Sequence, residues 1–253
     1  MSESFCLIVP HYDHVAQLQN YLPSLLAVEL PILVVDDGSP TAARDRLRQL
    51  LADRPGTELI ERPRNGGKGA ATLTGMQTAL AQGYSHAVCV DADGQHEAAD
   101  VCRLCRAAAA HPDSIVSGLP LFGPDIPRAR LYGRMITNVL VRLEAGSGTI
   151  RDAMCGLRCY PLALTVRVCE SYRVRFRMDF DTEILVRAAW QGVAVCYVET
   201  RVRYPPDGVS HFRMFRDNVD MTLMHLRLLG GALLRMPVWL ARRLRGAGRS
   251  GAS

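Results

Sequence analysis

The chain has 253 residues, a length that fits one large α/β domain or two small ones and can bury a full core. Apolar residues make up 48% of it, which excludes a disordered chain. The net charge of +5 is modest but uneven, with arginines crowding 128–142 and 227–249, and this points to an anionic partner such as phosphate, a membrane surface or nucleic acid.

The N-terminus runs straight into a strand with no signal-peptide pattern, and no charge-free apolar run approaches the roughly 20 residues that span a bilayer. A cytoplasmic chain is therefore expected. The apolar stretch 5–9 is the first strand, followed by Pro10-His-Tyr12-Asp13, and 15–26 carries helical spacing. A second buried strand over 32–35 runs into Asp36-Asp37-Gly38-Ser39-Pro40. Ser39 or Thr41 as a helix N-cap explains the serine and proline, but not two adjacent carboxylates after a buried strand. Asp37 is placed to bond a ribose or base edge.

A helix through 50 and a strand near 58–60 lead to Arg64-Asn65-Gly66-Gly67-Lys68-Gly69. Three glycines around Lys68 suit a backbone wrapped near phosphates and opening a helix whose N-terminus favours anions, although the P-loop spacing is absent. The strand 86–90 ends in Asp91-Ala92-Asp93-Gly94-Gln95-His96. Two carboxylates held this close repel each other, and a hard divalent cation, Mg²⁺ or Mn²⁺, relieves them and also holds substrate phosphates. One such tripeptide is a common surface turn. Its place at the end of a buried strand, where open α/β sheets bind ligands, is what carries weight.

A helix over 97–110, a strand over 114–118 and a Pro- and Gly-rich break over 119–127 follow. The segment 128–143 returns to helical spacing with arginines at 128, 130, 134 and 142. Then come Asp152-Ala-Met-Cys155-Gly156-Leu157-Arg158, Tyr160-Pro161 with a helix after it, and Asp179-Phe-Asp181-Thr-Glu183 opening a helix to 190. Acidic residues in a first turn fit the helix dipole. Strands over 193–198 and 201–204, a loop over 205–211, a helix over 215–234 and a disordered tail from 242 complete the chain, with no internal repeat. The eight cysteines read as reduced. Cys102-x-x-Cys105 with Cys155-x-x-x-Cys159 imitates a zinc site, but the first pair lies in a helical pattern without knuckle turns.

The ordered set Val34-Val-Asp-Asp-Gly-Ser39, Asn65-Gly-Gly-Lys-Gly69, Asp91-Ala-Asp-Gly-Gln-His96, Asp152 before Cys155-Gly-Leu-Arg158, and Asp181-Thr-Glu183 resembles the family 2 glycosyltransferases, above all the dolichol-phosphate mannose synthase-like members. The likeness covers about 5–212. It implies a GT-A α/β fold, with a mostly parallel central sheet flanked by helices, and an inverting transfer from a nucleotide diphosphate sugar. A catalytic domain is then expected over 1–212, and the apolar and arginine pattern of 213–253 reads as an amphipathic helical segment with a basic tail. By the same resemblance Pro10, Tyr12, Val35, Asp37 and Lys68 surround the nucleotide sugar, as do Asp91, Ala92 and Asp93. Asp93 and Gln95 are the ligands of Mg²⁺ or Mn²⁺. The family's acidic residue after Pro-x-Tyr is His14 here, and Ser117-Gly-Leu-Pro120 lacks the family's arginine, for which Arg128, Arg130 or Arg134 substitute. The phosphate loop is present as Arg203 and Gly208-Val-Ser-His211.

Metal and basic groups stabilise the departing diphosphate. A phosphate acceptor needs no base, whereas a hydroxyl acceptor does, and Asp152 is the candidate. The implied partners are a lipid-linked or other membrane-associated acceptor and an anionic membrane surface, not nucleic acid. The chain is then peripheral on the inner face of the membrane, held by apolar residues and arginines over 215–245, with Pro237 breaking that helix in two. Alternatively 223–234 packs on the domain and only the arginines are solvated. A nucleotidyltransferase of related design, or a non-catalytic nucleotide-sugar or membrane-surface binding protein, are the competing functions.

Overall fold

The structure is a computed structural model that describes residues 3–122, 128–172, 174, 176–177, 179–202 and 214–247, the side chains of 128–130, 214–217 and 238–247 excepted. The strands are β1 (Phe5–His11), β2 (Ile32–Asp36), β3 (Thr57–Glu61), β4 (His86–Cys89), β5 (Ile115–Leu121), β6 (Arg158–Pro161) and β7 (Val195–Arg201). The helices are α1 (Val15–Leu26), α2 (Thr41–Leu51), α3 (Lys68–Ala81), α4 (Ala98–Ala110), α5 (Arg128–Ala145), α6 (Leu162–Ser171), α7 (Phe180–Trp190) and α8 (Met214–Ala247).

The strands form one sheet in the order β3-β2-β1-β4-β6-β5-β7. β6 is antiparallel to both its neighbours and all other pairs are parallel. Alternation along the central strands sends Cys6, Ile8, Leu33 and Val35 to one face, under α3, α5, α6, α7 and α8. Leu7, Val9, Ile32 and Val34 go to the other, under α1, α2 and α4. Strands covered on both faces read as unbroken apolar runs, which is why β1, β2 and β4 are legible in the sequence.

Four expectations differ from the structure. β6 falls on Arg158–Pro161, where no strand is expected, because an antiparallel strand of four residues has no periodic signature to detect. β7 is a single strand ending at Arg201, followed by a bridge from Val202 to His96, in place of two strands; 203–204 lie outside the described residues. The α2 cap is Pro40 without a side-chain bond, because the Ser39 hydroxyl is drawn to Asp36. Finally, α8 runs unbroken through Pro237 to Ala247, past the start of the expected tail. Pro237 is exposed, so water can satisfy the carbonyl it leaves unbonded.

The inner face of α8 joins the core through Met224, Leu228 and Ala232. Polar ties add to this: His225 Nδ1 lies 2.7 Å from buried Glu144, and Arg227 lies 3.2 Å from buried Glu183. Its outer face keeps Val219, Leu223, Leu226, Leu233 and Leu234 exposed. α5, which packs on α8, exposes a second stripe of Tyr132, Met135, Ile136, Val139 and Leu143. Among the described residues no helix is long and apolar enough to cross a membrane.

Candidate active site

The sheet order turns at the β1–β4 pair, since β2 and β3 extend to one side and β6, β5 and β7 to the other. A crevice outside the carboxyl ends of strands at such a turning point is where α/β sheets bind ligands. β4 delivers Asp91-Ala92-Asp93 to that edge. The Val90 N–H donates to the Ile8 carbonyl at 3.0 Å, the Gln95 N–H donates to Asp93 Oδ1 at 3.0 Å, and the Tyr21 hydroxyl donates to the His96 carbonyl at 2.6 Å. The turn is thus fixed at its start, middle and end. Burial and the neighbouring Asp91 push Asp93 up to about 6. Burial would raise Asp91 too, but the Lys68 ammonium outweighs it and holds Asp91 below the usual carboxylate range.

Lys68, first residue of α3, is the junction of the site. Its ammonium lies 2.7 Å from Asp91 Oδ1 and 2.7 Å from Asp181 Oδ2, at the start of α7. Burial opposes its charge, and the two carboxylates outweigh burial, so the ammonium is held protonated. Gly156 makes this convergence sterically feasible. A Cβ there would sit 2.2 Å from Asp91 Oδ2 and 2.8 Å from Lys68 Nζ. The fully buried Arg158 braces the same corner, donating to the carbonyls of Asp181 and Ala153 and to the Ser117 hydroxyl. Asp181 and Arg158 are readable in the sequence only as parts of motifs. Their joint position depends on β6 inserting between β4 and β5, which carries Arg158 to the start of α7.

The acidic pair after β2 is engaged inside the protein. Asp36 is completely buried, 3.1 Å from His11 Nδ1 and bonded to Ser39; burial would raise it, and these partners lower it below its ordinary value. Asp37 accepts from the N–H groups of Gly66 at 3.0 Å and Gly67 at 2.7 Å and pairs with Arg62. Its carboxylate fixes the glycine loop instead of standing open for a ribose. Val35 is a core residue packed near α3, so only its main chain is available at the edge. Pro10 and Tyr12 are half-buried at the β1 end, and Ala92 is buried between the two aspartates.

Asp152 is buried and gives both carboxylate oxygens to Arg134, one by a bond of 2.9 Å. It also accepts from Asn138 and from the N–H groups of Met154 and Cys155. Burial raises it, but Arg134 dominates and lowers it below its ordinary value. A carboxylate so engaged accepts a proton less readily than a free one. The Arg134 guanidinium also lies 5.0 Å from the centre of the Phe122 ring, and its charge reaches His96. Arg142 donates to the Ile150 carbonyl at 3.2 Å, so both of these arginines turn inward. The side chains of Arg128 and Arg130, and all of Arg203 and His211, lie outside the described residues.

Among the described residues no three His, Cys, Asp or Glu side chains form a ready metal cage. Asp91, Asp93 and the Gln95 amide nonetheless fit a hard cation that completes its shell with water and a diphosphate, as Mg²⁺ and Mn²⁺ do. Burial first and Asp91 second disfavour the charge on Asp93, and such an ion would offset both.

The profile of Glycosyl transferase family 2 matches residues 6–156. The polyprenol monophosphomannose synthase of Mycolicibacterium smegmatis is 35% identical over 186 residues, 72% of this chain and 70% of that protein. The undecaprenyl-phosphate mannosyltransferase of Micrococcus luteus is 33% identical over 181 residues, covering 68% and 74%. Glucosyl-3-phosphoglycerate synthase from Mycobacterium tuberculosis, solved with Mn²⁺, UDP-glucose and phosphoglyceric acid, shares the fold. Its TM-score is 0.64 at 14% identity, with 91% of this chain and 79% of that chain covered.

Proposed function

Because this chain belongs to glycosyl transferase family 2 and is a glycosyltransferase, we propose that it transfers a sugar, with inversion, from a nucleoside diphosphate sugar to the phosphate of a membrane-borne polyprenyl lipid. Mannose is the sugar to try first, since the two relatives described above are named for it. The observation that carries the phosphate acceptor is the Asp152–Arg134 pair. A hydroxyl acceptor needs a base, and the candidate carboxylate is committed to an arginine. A phosphate acceptor needs no base and does need a cation, and Arg134 is that cation in this reading.

Asp91, Asp93 and Gln95 would hold the divalent ion, which supplies electrostatic stabilisation of the leaving diphosphate. Lys68, the first residue of α3, adds a positive charge on the same side, where the helix dipole also favours an anion. Pro10, Tyr12 and Ala92 line the nucleotide side, Asp37 shapes the glycine loop around it, and Arg128, Arg130, Arg203 and His211 are further acceptor-phosphate candidates.

Attachment to the inner face of an anionic membrane completes the proposal. The exposed apolar stripes of α5 and α8 support it, because a monomer rarely leaves two such stripes bare without a use. The test is release of nucleoside diphosphate from a panel of nucleotide sugars with Mg²⁺ or Mn²⁺ and a polyprenyl phosphate. Asp93→Ala is expected to abolish turnover and metal dependence while the protein stays folded. Wild-type turnover in that variant would refute the site.

A further inference from the structure

We infer that Lys68 is an internal counter-ion that competes with the divalent cation for Asp91 and couples cation binding to diphosphate binding. This rests on the donor-site reading above and extends it, since Lys68 becomes more than a phosphate ligand.

The two carboxylates of the Asp91-Ala92-Asp93 turn are not equivalent. Asp91 is neutralised by the Lys68 ammonium, at 2.7 and 3.0 Å from its two oxygens. Asp93 has the Gln95 N–H as its hydrogen-bond partner and no ion pair among the described residues. The second anchor of Lys68 is Asp181 at 2.7 Å, from a helix far along the chain. Asp91 and Asp181 share this one cation, and among the described residues no other ion-pairs with either. The missing side chain of Gly156 is what leaves room for the bridge.

A bare divalent ion approaching Asp93 therefore meets a cation already seated on Asp91, and the like charges repel. A diphosphate changes the balance. It offers the ammonium another anion while Asp181 continues to hold it, and Asp91 is then free to join Asp93 around the ion. Cation and diphosphate thus each favour the other's binding, a reciprocal coupling in which Lys68 is the moving charge.

The experiment measures Mn²⁺ binding by electron paramagnetic resonance on the full chain, alone and with GDP or UDP, for wild type, Lys68→Met and Lys68→Gln. Circular dichroism and thermal melting establish that each variant is folded. Lys68→Met keeps the approximate length without the charge, and Lys68→Gln, also one atom shorter than lysine, keeps a hydrogen-bond donor and decides the matter if Lys68→Met does not fold. Without nucleotide, the variants are expected to bind Mn²⁺ about tenfold more tightly than wild type, within the usual range of coupling energies. The tightening of Mn²⁺ binding by GDP or UDP should shrink or vanish. A merely structural lysine would weaken both measurements on removal. Mn²⁺ binding that is unchanged or weaker in folded variants overturns the inference while leaving the donor site standing. No Mn²⁺ uptake by wild type, with or without either nucleotide, overturns both.

Discussion

Asp152 and Arg134 make the sharpest test of the acceptor chemistry. The Asp152 carboxylate is engaged by Arg134, Asn138 and two backbone N–H groups, and in the proposed function it acts by orienting the guanidinium. Asp152→Asn is expected to raise the KM for a phosphate acceptor about tenfold and leave kcat within a few-fold. Arg134→Ala should do the same, and the double variant no more, because the residues act as one unit. A fall in kcat of about 10²-fold with unchanged acceptor KM would restore the general-base role. Asp36 offers a stability test. Its folded pKa lies below the ordinary 3.8, so its contribution is full above that value and lost as pH falls through the lower folded value. Asp36→Asn should cost about 2 kcal/mol near neutrality, and its Tm deficit should close as pH drops below 3.8. A deficit that is constant with pH would show that the charge of Asp36 is not what matters.

Among the elements, α8 couples the end of the chain to the site. It packs on α7 at Gly231, where a Cβ would lie 2.4 Å from the Trp190 ring. The Arg235 guanidinium stacks 4.0 Å from the centre of that ring, and the indole N–H donates to the Glu144 carbonyl at 2.8 Å. One turn from the start of α7, Glu183 takes Arg227 of α8 while Asp181 takes Lys68. Gly231→Leu should therefore overpack this seam and cost about 1–3 kcal/mol, read as a lower Tm. An unchanged Tm would mean that α8 is not seated on Trp190 as described.

On the scale of the whole molecule, the candidate active site and the exposed apolar face are joined by α5. Arg134 on its inner side meets Asp152, while Ile136 and Val139 on its outer side are bare. A chain lying on this face would bring a lipid phosphate toward the arginine. Sedimentation with anionic vesicles at low salt should carry the protein down, less so at high salt, where exposed charges are screened. Ile136→Asp combined with Leu226→Asp changes two exposed positions and should abolish that binding without lowering Tm. Equal sedimentation of wild type and variant would exclude these stripes as the attachment, and no sedimentation of wild type would exclude membrane attachment itself.

The amino-acid sequence by itself determined the sandwich, because β1, β2 and β4 are buried on both faces and leave unbroken apolar runs, each ending in a polar motif at the same edge. It also determined the family, because five short motifs in fixed order are legible without any contact being known. What each polar group does was decided by tertiary structure. Asp37 and Asp93 look alike as acids after a strand, yet one is engaged by the glycine loop and the other has no cation partner among the described residues. Asp152 stands alone in the sequence, and only the fold sets Arg134 against its oxygens. The Lys68 bridge needs β6 inserted antiparallel and Gly156 against Asp91, and neither leaves a periodic signal in the chain. Hydrophobic periodicity encodes which face is buried. The partner of a charge is set by distances between elements remote in sequence, and those exist only once the chain has folded.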